Sequence, residues 1–273
     1  MSERLARFGL PLAVVGLLAL VVAVGPNLGL RIAGSDPAPA GRLIEVLDRL
    51  PADPAVLVGF DPDLGTYPEL RPTVRTLVAD LLDRGAGLSF VSMTPEGRAL
   101  AVAEMARLDR LGAPRGSVTD LGFIPGAEAA LVSLAGAISG QRPAAGPPGL
   151  DELDGTDLAV VVGGNDLGPR SWVEQVAPRA AGLQIVAVTP TVLLPEVEPY
   201  RASGQLAALL TTPGQGAAFR ERTPAGSFPA LAERAGPSPA AIAAGLLVAA
   251  VWLASALLAG GPARRLLRPT ARR

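Results

Sequence analysis

Two long apolar segments frame the chain, one near each end. The first extends from about Phe8 to Gly25, and the second covers residues 239–259 without a charged residue. A helix of about 20 apolar residues spans the ~30 Å hydrocarbon core of a bilayer. We therefore predict a transmembrane helix at each end. The alternatives are a cleaved signal peptide for the first segment and a buried core helix for the second.

Arginine residues flank both apolar segments on their outer sides. Arg4 and Arg7 precede the first segment, and the second is followed by Arg264, Arg265, Arg268, Arg272 and Arg273. Cationic flanks stay in the cytoplasm and are attracted to anionic lipid. Arg31 and Arg42 oppose this orientation, but the arginines of the tail outnumber them. We predict two spans in the cell (inner) membrane, with both termini cytoplasmic and the main domain extracytoplasmic.

This topology divides the chain into six parts. They are the cytoplasmic N-terminus with the first transmembrane helix (1–30), a linker (31–41), the extracytoplasmic domain (42–222), a second linker (223–238), the second transmembrane helix (239–259) and a basic cytoplasmic tail (260–273). Proline and glycine are frequent in both linkers, as is typical of turns. The central part is long enough to bury one hydrophobic core.

Within the central domain, short apolar runs alternate with segments of helical periodicity. The apolar runs predict strands at 55–60, 87–93, 117–123, 157–163 and 183–189, and the periodic segments predict helices at 42–50, 69–84, 94–111, 125–138 and 170–180. Residues 205–210 fit either a sixth strand or a helical turn. This alternation predicts an α/β fold with a doubly wound, mostly parallel Rossmann-like sheet. In such sheets, ligands bind beyond the carboxyl ends of the strands.

The composition excludes several kinds of chemistry. The chain has no histidine and no cysteine, and all its basic residues are arginine. Imidazole bases, thiol nucleophiles, lysine Schiff bases, disulfides and nearly all zinc sites are therefore excluded. The formal net charge of −1 argues against a nucleic-acid partner.

Polar and glycine residues at the predicted strand ends are the candidates for ligand binding. They are Asp61, Asp63, Thr94, Gly163, Gly164, Asn165, Asp166, Thr189 and Tyr200. The glycine pair allows a close backbone approach, but the sequence of residues 163–168 matches neither Gly-x-Gly-x-x-Gly nor a Walker A loop. A tight strand-to-helix turn is the alternative interpretation.

The carboxylates allow two interpretations. Asp61 and Asp63 could hold a hard cation, or, with Asp166, form a cluster for acid–base chemistry. The alternative is a turn with a helix cap. Because no spacing in the sequence shows that the three meet, we predict no metal site and assign no catalytic residue. Thr94 before Pro95 has the pattern of a helix N-cap.

Residues 118–221 contain a series of short motifs in a recognisable order. They are Leu121–Gly126, Asp157–Gly164, Trp172–Gln175, Pro199–Tyr200, Gly204–Leu206 and Gly216–Ala218. The series resembles a family of uncharacterised bacterial membrane-anchored proteins with an extracytoplasmic α/β domain between two terminal transmembrane helices. The resemblance implies this architecture and no activity. Members of that family carry a glycine pair near Thr211 and an acidic stretch after Ala218, and this chain departs from both features.

These observations favour a non-enzymatic binding or accessory module in the cell envelope. Its expected partners are the lipid bilayer and a membrane or envelope protein, or a small ligand, and the sequence identifies no cofactor. The alternative is a carboxylate-dependent enzyme, with or without a divalent metal, that acts on envelope glycans or phosphorylated substrates. Neither apolar segment has an ionisable residue in its middle, which argues against an ion path.

Overall fold

The computed structural model describes residues 37–141, 149–164, 166–211, 213–223, 226–228 and 231 of the chain. Both predicted transmembrane helices, the basic tail, most of both linkers and Asn165 lie outside these residues. In the described ranges, no helix is both long enough and apolar enough to cross a bilayer.

A six-stranded parallel sheet forms the centre of the domain. Its strands are β1 (Ala55–Asp61), β2 (Gly87–Ser92), β3 (Val118–Phe123), β4 (Leu158–Gly163), β5 (Gln184–Val188) and β6 (Ala208–Leu210). They lie in the order β3-β2-β1-β4-β5-β6. The strand order reverses between β1 and β4, where Asp61 and Gly163 are the last Cα partners. The predicted Rossmann-like sheet is confirmed.

Helices cover both faces of the sheet. They are α1 (Ala38–Leu47), α2 (Tyr67–Asp83), α3 (Pro95–Arg110), α4 (Glu128–Ile138), α5 (Pro169–Ser171), α6 (Leu194–Ala202) and α7 (Pro213–Arg222). A π-helical turn, Trp172–Val176, continues α5, and 3₁₀ turns occur at Leu150–Leu153 and Thr191–Leu193. Buried residues of α1, α2, α3 and α7 share one core cluster, and those of α4, the π-helical turn and α6 share the other. Two cores on opposite faces are expected for a sheet of this kind.

Several elements differ from their predicted bounds. Helix α1 begins at Ala38, inside the predicted linker 31–41. Helix α4 begins at Glu128 because Gly126 and Ala127 have positive φ angles of 117° and 51°. The predicted helix over 170–180 is only three residues of α-helix before the π-helical turn. Residues 208–210 resolve the ambiguous segment as a strand.

The side chains of β1 alternate between the two cores. Val58 and Phe60 belong to the cluster under α2 and α3, and Leu57 belongs to the other. At Gly59 the fully buried ring of Trp172 lies against the strand, and a methyl group there would stand 2.2 Å from a ring carbon. Only glycine therefore permits this packing.

Helices α2 and α3 are joined by a buried ion pair that the sequence did not predict. Arg75 donates to both oxygens of Glu104, with 2.9 Å between Nε and Oε2, and Glu104 is 7% exposed. Arg107 also approaches Glu104, at 3.8 Å. Burial, and then the charge of Glu104, raise the pKa of the nearby Tyr67 hydroxyl. Since a buried charge requires a partner, these residues fix the two helices to each other.

The first and last described segments lie at the amino edge of the sheet, where the strands begin. Helix α2 ends there at Asp83, four residues before β2, and the Asp83 carboxylate accepts a hydrogen bond from Ser227 N at 2.6 Å. At the end of α7, Arg222 donates to the Pro37 carbonyl at 3.2 Å. The described chain therefore begins and ends away from the carboxyl edge, where sheets of this kind bind ligands.

Candidate functional site

Three loops converge on Gly164 at the carboxyl edge. They follow β1, β4 and β5 and carry Asp63, Gly164 and Pro190 respectively. A methyl group on Gly164 would stand 3.0 Å from Pro190 Cγ and 3.1 Å from an Asp63 carboxylate oxygen. The convergence lies between β1 and β4, where the strand order reverses and doubly wound sheets bind their ligands. We call Asp63, Gly164, Asp166 and Pro190 the switch-point site.

Asp166 is the exposed member of this site. It lies two residues after Gly164, and its backbone carbonyl accepts a hydrogen bond from the Ser171 hydroxyl at 2.5 Å. This bond fixes the loop backbone to α5 and leaves the carboxylate at the surface. The site therefore presents one half-buried carboxylate, from Asp63, and one exposed carboxylate, from Asp166.

Asp61 has a different environment, although it also ends β1. Its side chain is fully buried, and Oδ1 accepts hydrogen bonds from Met93 N, Thr94 N and the Thr94 hydroxyl at 2.8, 2.8 and 2.9 Å. Burial raises the pKa of the Asp61 carboxyl to about 6, against the opposing effect of these hydrogen bonds. Asp61 therefore ties β1 to the start of α3 and has no surface to offer a ligand.

Thr94 and Thr189 also serve the fold. The Thr94 hydroxyl accepts from Gly97 N at 3.0 Å, which confirms the predicted N-cap. The buried Thr189 hydroxyl donates to the Gly163 carbonyl at 2.6 Å and so joins the ends of β4 and β5. Both hydroxyls are engaged in hydrogen bonds within the domain. The two threonines therefore hold the loops of this edge in place.

Tyr200 belongs to a separate surface cluster. It lies in α6, and its hydroxyl donates to Glu174 at 2.5 Å. Arg170 forms ion pairs with Glu174 and Glu196 at 3.2 and 3.6 Å. The Tyr200 hydrogen bond, and then Arg170, lower the pKa of Glu174. In the described part of the chain, no hydrogen bond or ion pair connects Tyr200 to the switch-point site.

The acidic residues do not assemble into a metal site in the structure's described ranges. No group of three or more Asp or Glu side chains there could hold a metal ion. Although Asp61, Asp63 and Asp166 share one sheet edge, the Oδ1 atom of Asp61 faces Met93 and Thr94. The carboxylate cluster that the sequence suggested is therefore not formed by these residues. Asn165 lies outside the described residues.

Sequence reasoning missed Pro190 and two exposed apolar residues of the same edge. Leu64, after β1, is 62% exposed, and Val192, after β5, is 76% exposed. Helical or strand periodicity cannot reveal such residues, because Leu64 lies in a loop and Val192 in a 3₁₀ turn of three residues. The available signal was their position a few residues beyond a predicted strand end.

Comparisons with known proteins leave the function open. No family model matches the chain, and no curated protein matches it. A short-chain oxidoreductase from Pseudomonas aeruginosa PAO1, whose apo structure is described as containing an atypical catalytic center, is 14% identical, with a TM-score of 0.32. The match covers 62% of this chain and 61% of that enzyme. A likeness this weak says nothing about what this protein binds or does.

Proposed function

We propose that the protein is a membrane-tethered binding module whose α/β domain lies outside the cytoplasm and engages its ligand at the switch-point site. One observation carries the proposal. Loops from three strands converge on Gly164 at the position where the strand order reverses. At that position the backbone and side chains of neighbouring loops can contact one ligand together.

The residue types at this edge support binding more than catalysis. Histidine, cysteine and lysine do not occur in the chain, which removes the usual bases and nucleophiles. Asp61, whose raised pKa suits acid–base chemistry, is fully buried behind its hydrogen bonds. The alternative of a carboxylate-dependent enzyme required Asp61, Asp63 and Asp166 to act together, and the described residues do not form such a group.

The charge of the site disfavours anionic nucleotides. In a dinucleotide-binding sheet, the loop after the first strand is glycine-rich and receives the diphosphate at a helix N-terminus. The corresponding loop here carries Asp61 and Asp63, and the loop after β4 adds Asp166. Carboxylates near a diphosphate would repel it. We therefore propose a ligand other than a nucleotide.

The tether is proposed from the two apolar segments and their arginine flanks. The positions of the first and last described residues are consistent with an accessible site. Both lie at the amino edge of the sheet, whereas Gly164 lies at the carboxyl edge.

Site-specific photo-crosslinking tests the binding proposal. A photoreactive residue would replace Gly65 in the full-length chain, expressed in its own membrane, because Gly65 is exposed beside Leu64 and a side chain there would meet no other atom within 4 Å. Glu152 is a control position, because it is exposed but precedes β4 at the amino edge. We expect a discrete adduct from position 65 and none from position 152. Equal labelling at both positions, or no adduct at position 65, would contradict the proposal.

Cysteine labelling tests the proposed topology, since the wild-type chain has no cysteine. A Glu152→Cys variant should react with a membrane-impermeant maleimide in intact cells. An Arg268→Cys variant, in the basic tail, should react only after lysis. The reverse pattern would place the domain in the cytoplasm.

A further inference from the structure

The two loops beside Gly164 expose aliphatic side chains to solvent. Leu64 directly follows Asp63, and Val192 lies two residues after Pro190. Among the large apolar residues that the structure describes, these two are the most exposed, at 62% and 76%. The 3₁₀ turn that carries Val192 also approaches the first turn of α2, since the Thr191 hydroxyl lies 3.5 Å from a Glu69 carboxylate oxygen. Exposed aliphatic side chains grouped around one site often mark an interaction surface.

The charged groups around this pair are mostly acidic. Asp63, Glu69, Asp166 and Glu196 all lie in the loops or first helical turns of this edge. Of the cations at the same edge, Arg170 forms ion pairs with Glu174 and Glu196, and Arg71, in the second turn of α2, also has an interaction partner. The Arg98 guanidinium, in the first turns of α3, forms an ion pair with Asp120. The surface around Leu64 and Val192 therefore attracts cations and repels anions.

We propose that the switch-point site docks a segment of a partner protein that presents arginine or lysine beside an aliphatic side chain. The cation lies between the carboxylates of Asp63 and Asp166, and the aliphatic group packs on Leu64 and Val192. This inference rests on the proposed binding function and specifies its ligand.

The same charges argue against the other occupants of such a surface. Two copies of the chain meeting through this face would bring their acidic groups together, which costs free energy. An anionic lipid surface would be repelled for the same reason. A neutral apolar peptide would leave the carboxylates without a counter-charge. A protein segment with a basic and an apolar side chain matches both the carboxylates and the exposed aliphatic side chains of this surface.

A peptide array tests the inference directly. The full-length chain, in a non-ionic detergent, would be applied to decapeptides of three classes. These combine arginine with leucine or valine, glutamate with the same aliphatic residues, or arginine with serine and glycine. We expect retention on the first class alone. Equal retention on the acidic class, or no retention on any class, would overturn the inference.

Variants then locate the binding on the surface. Fluorescence anisotropy with the best basic peptide should show at least about a fivefold loss of affinity for Asp63→Asn, Asp166→Asn, Leu64→Ser and Val192→Ser. Glu152→Gln and Val102→Ser change an exposed acid and an exposed valine away from the site, and should bind as the wild type does. Because the contact is partly ionic, added salt should weaken it. Unchanged affinity in all four site variants would overturn the inference.

The two proposals fail separately. A photo-crosslinked adduct at position 65 without retention of basic peptides would keep the binding function and reject this ligand class. An array that retains basic peptides, with affinity insensitive to the four site variants, would place that binding elsewhere on the protein.

Discussion

Asp61 and Asp63 stand two residues apart in the chain, yet their environments differ. Asp61 is fully buried, and its Oδ1 atom accepts three hydrogen bonds from the loop after β2. Asp63 is half-buried, and one of its carboxylate oxygens would lie 3.1 Å from a methyl group on Gly164. The difference follows from the sheet order, since β1 has β2 on one side and β4 on the other. The side toward β2 is closed by hydrogen bonds, and the side toward β4 holds the switch-point site.

The largest effect should come from Asp61→Ala. This change leaves the Met93 and Thr94 N–H groups buried without their acceptor, at a cost of about 4 kcal/mol in the free energy of unfolding. Urea unfolding of the full-length protein in detergent at pH 5 would measure it. At that pH the wild-type Asp61 carboxyl is largely protonated, so the measured loss of stability reflects its hydrogen bonds and not its charge. A loss under about 1 kcal/mol would show that Asp61 does not hold the edge together.

The pH dependence of stability should also depend on Asp61. Its pKa rises from 3.8 to about 6 on folding, so the folded state holds the proton more tightly than the unfolded chain does. This group's stabilising contribution is fully present below pH 3.8 and is lost as the pH rises through about 6. The loss amounts to about 3 kcal/mol.

Asp61→Asn is the matched variant for this pH effect. Asparagine keeps an acceptor oxygen but does not titrate. The difference in stability between wild type and variant should therefore change between pH 4 and pH 6 and stay constant above pH 7. Parallel curves across the whole range would contradict the raised pKa.

Thr94→Ala should have a smaller effect. It removes the N-cap of α3 and one of the hydrogen bonds to Asp61, at a cost of about 1 to 2 kcal/mol. Thr94→Ser keeps the hydroxyl and serves as the control. Thermal unfolding should place the serine variant close to the wild type and the alanine variant clearly below it. Equal melting temperatures for the two variants would exclude a role for the hydroxyl.

Asp63→Asn and Asp166→Asn should have the smallest effect on stability. Both side chains are at least partly exposed, so we expect changes within about 0.5 kcal/mol. The same variants should lose the adduct formed by a photoreactive residue at position 65. A destabilisation of several kcal/mol would mean that these residues serve the fold as Asp61 does.

Most of the fold could be predicted from the sequence. Branched apolar runs such as Leu158–Gly163 identified five strands, and Thr94-Pro95 identified the start of α3. The misplaced boundaries have local causes. The positive φ angles of Gly126 and Ala127 delay α4, and α5 changes to a π-helical turn where Trp172 packs over Gly59. Periodicity contains no information about these contacts.

The site was predictable only in part. Alternation of strands and helices placed the polar loops at one edge, but it could not give the strand order. Without that order, Asp61 and Asp63 looked equivalent, and Pro190 had no reason to be near Gly164. The sequence also could not show that the Thr94 and Thr189 hydroxyls are engaged within the domain, because their partners, Asp61 and Gly163, are distant in the chain.

The most direct test of the account is a double comparison of Asp61→Ala and Asp63→Asn. Each variant, carrying a photoreactive residue in place of Gly65, would be measured for melting temperature and for adduct yield at a temperature where both are folded. We predict that Asp61→Ala lowers the melting temperature and keeps the adduct, and that Asp63→Asn keeps the melting temperature and loses the adduct. The opposite pattern, with the adduct lost only in Asp61→Ala, would contradict the assignment of the ligand to the switch-point site.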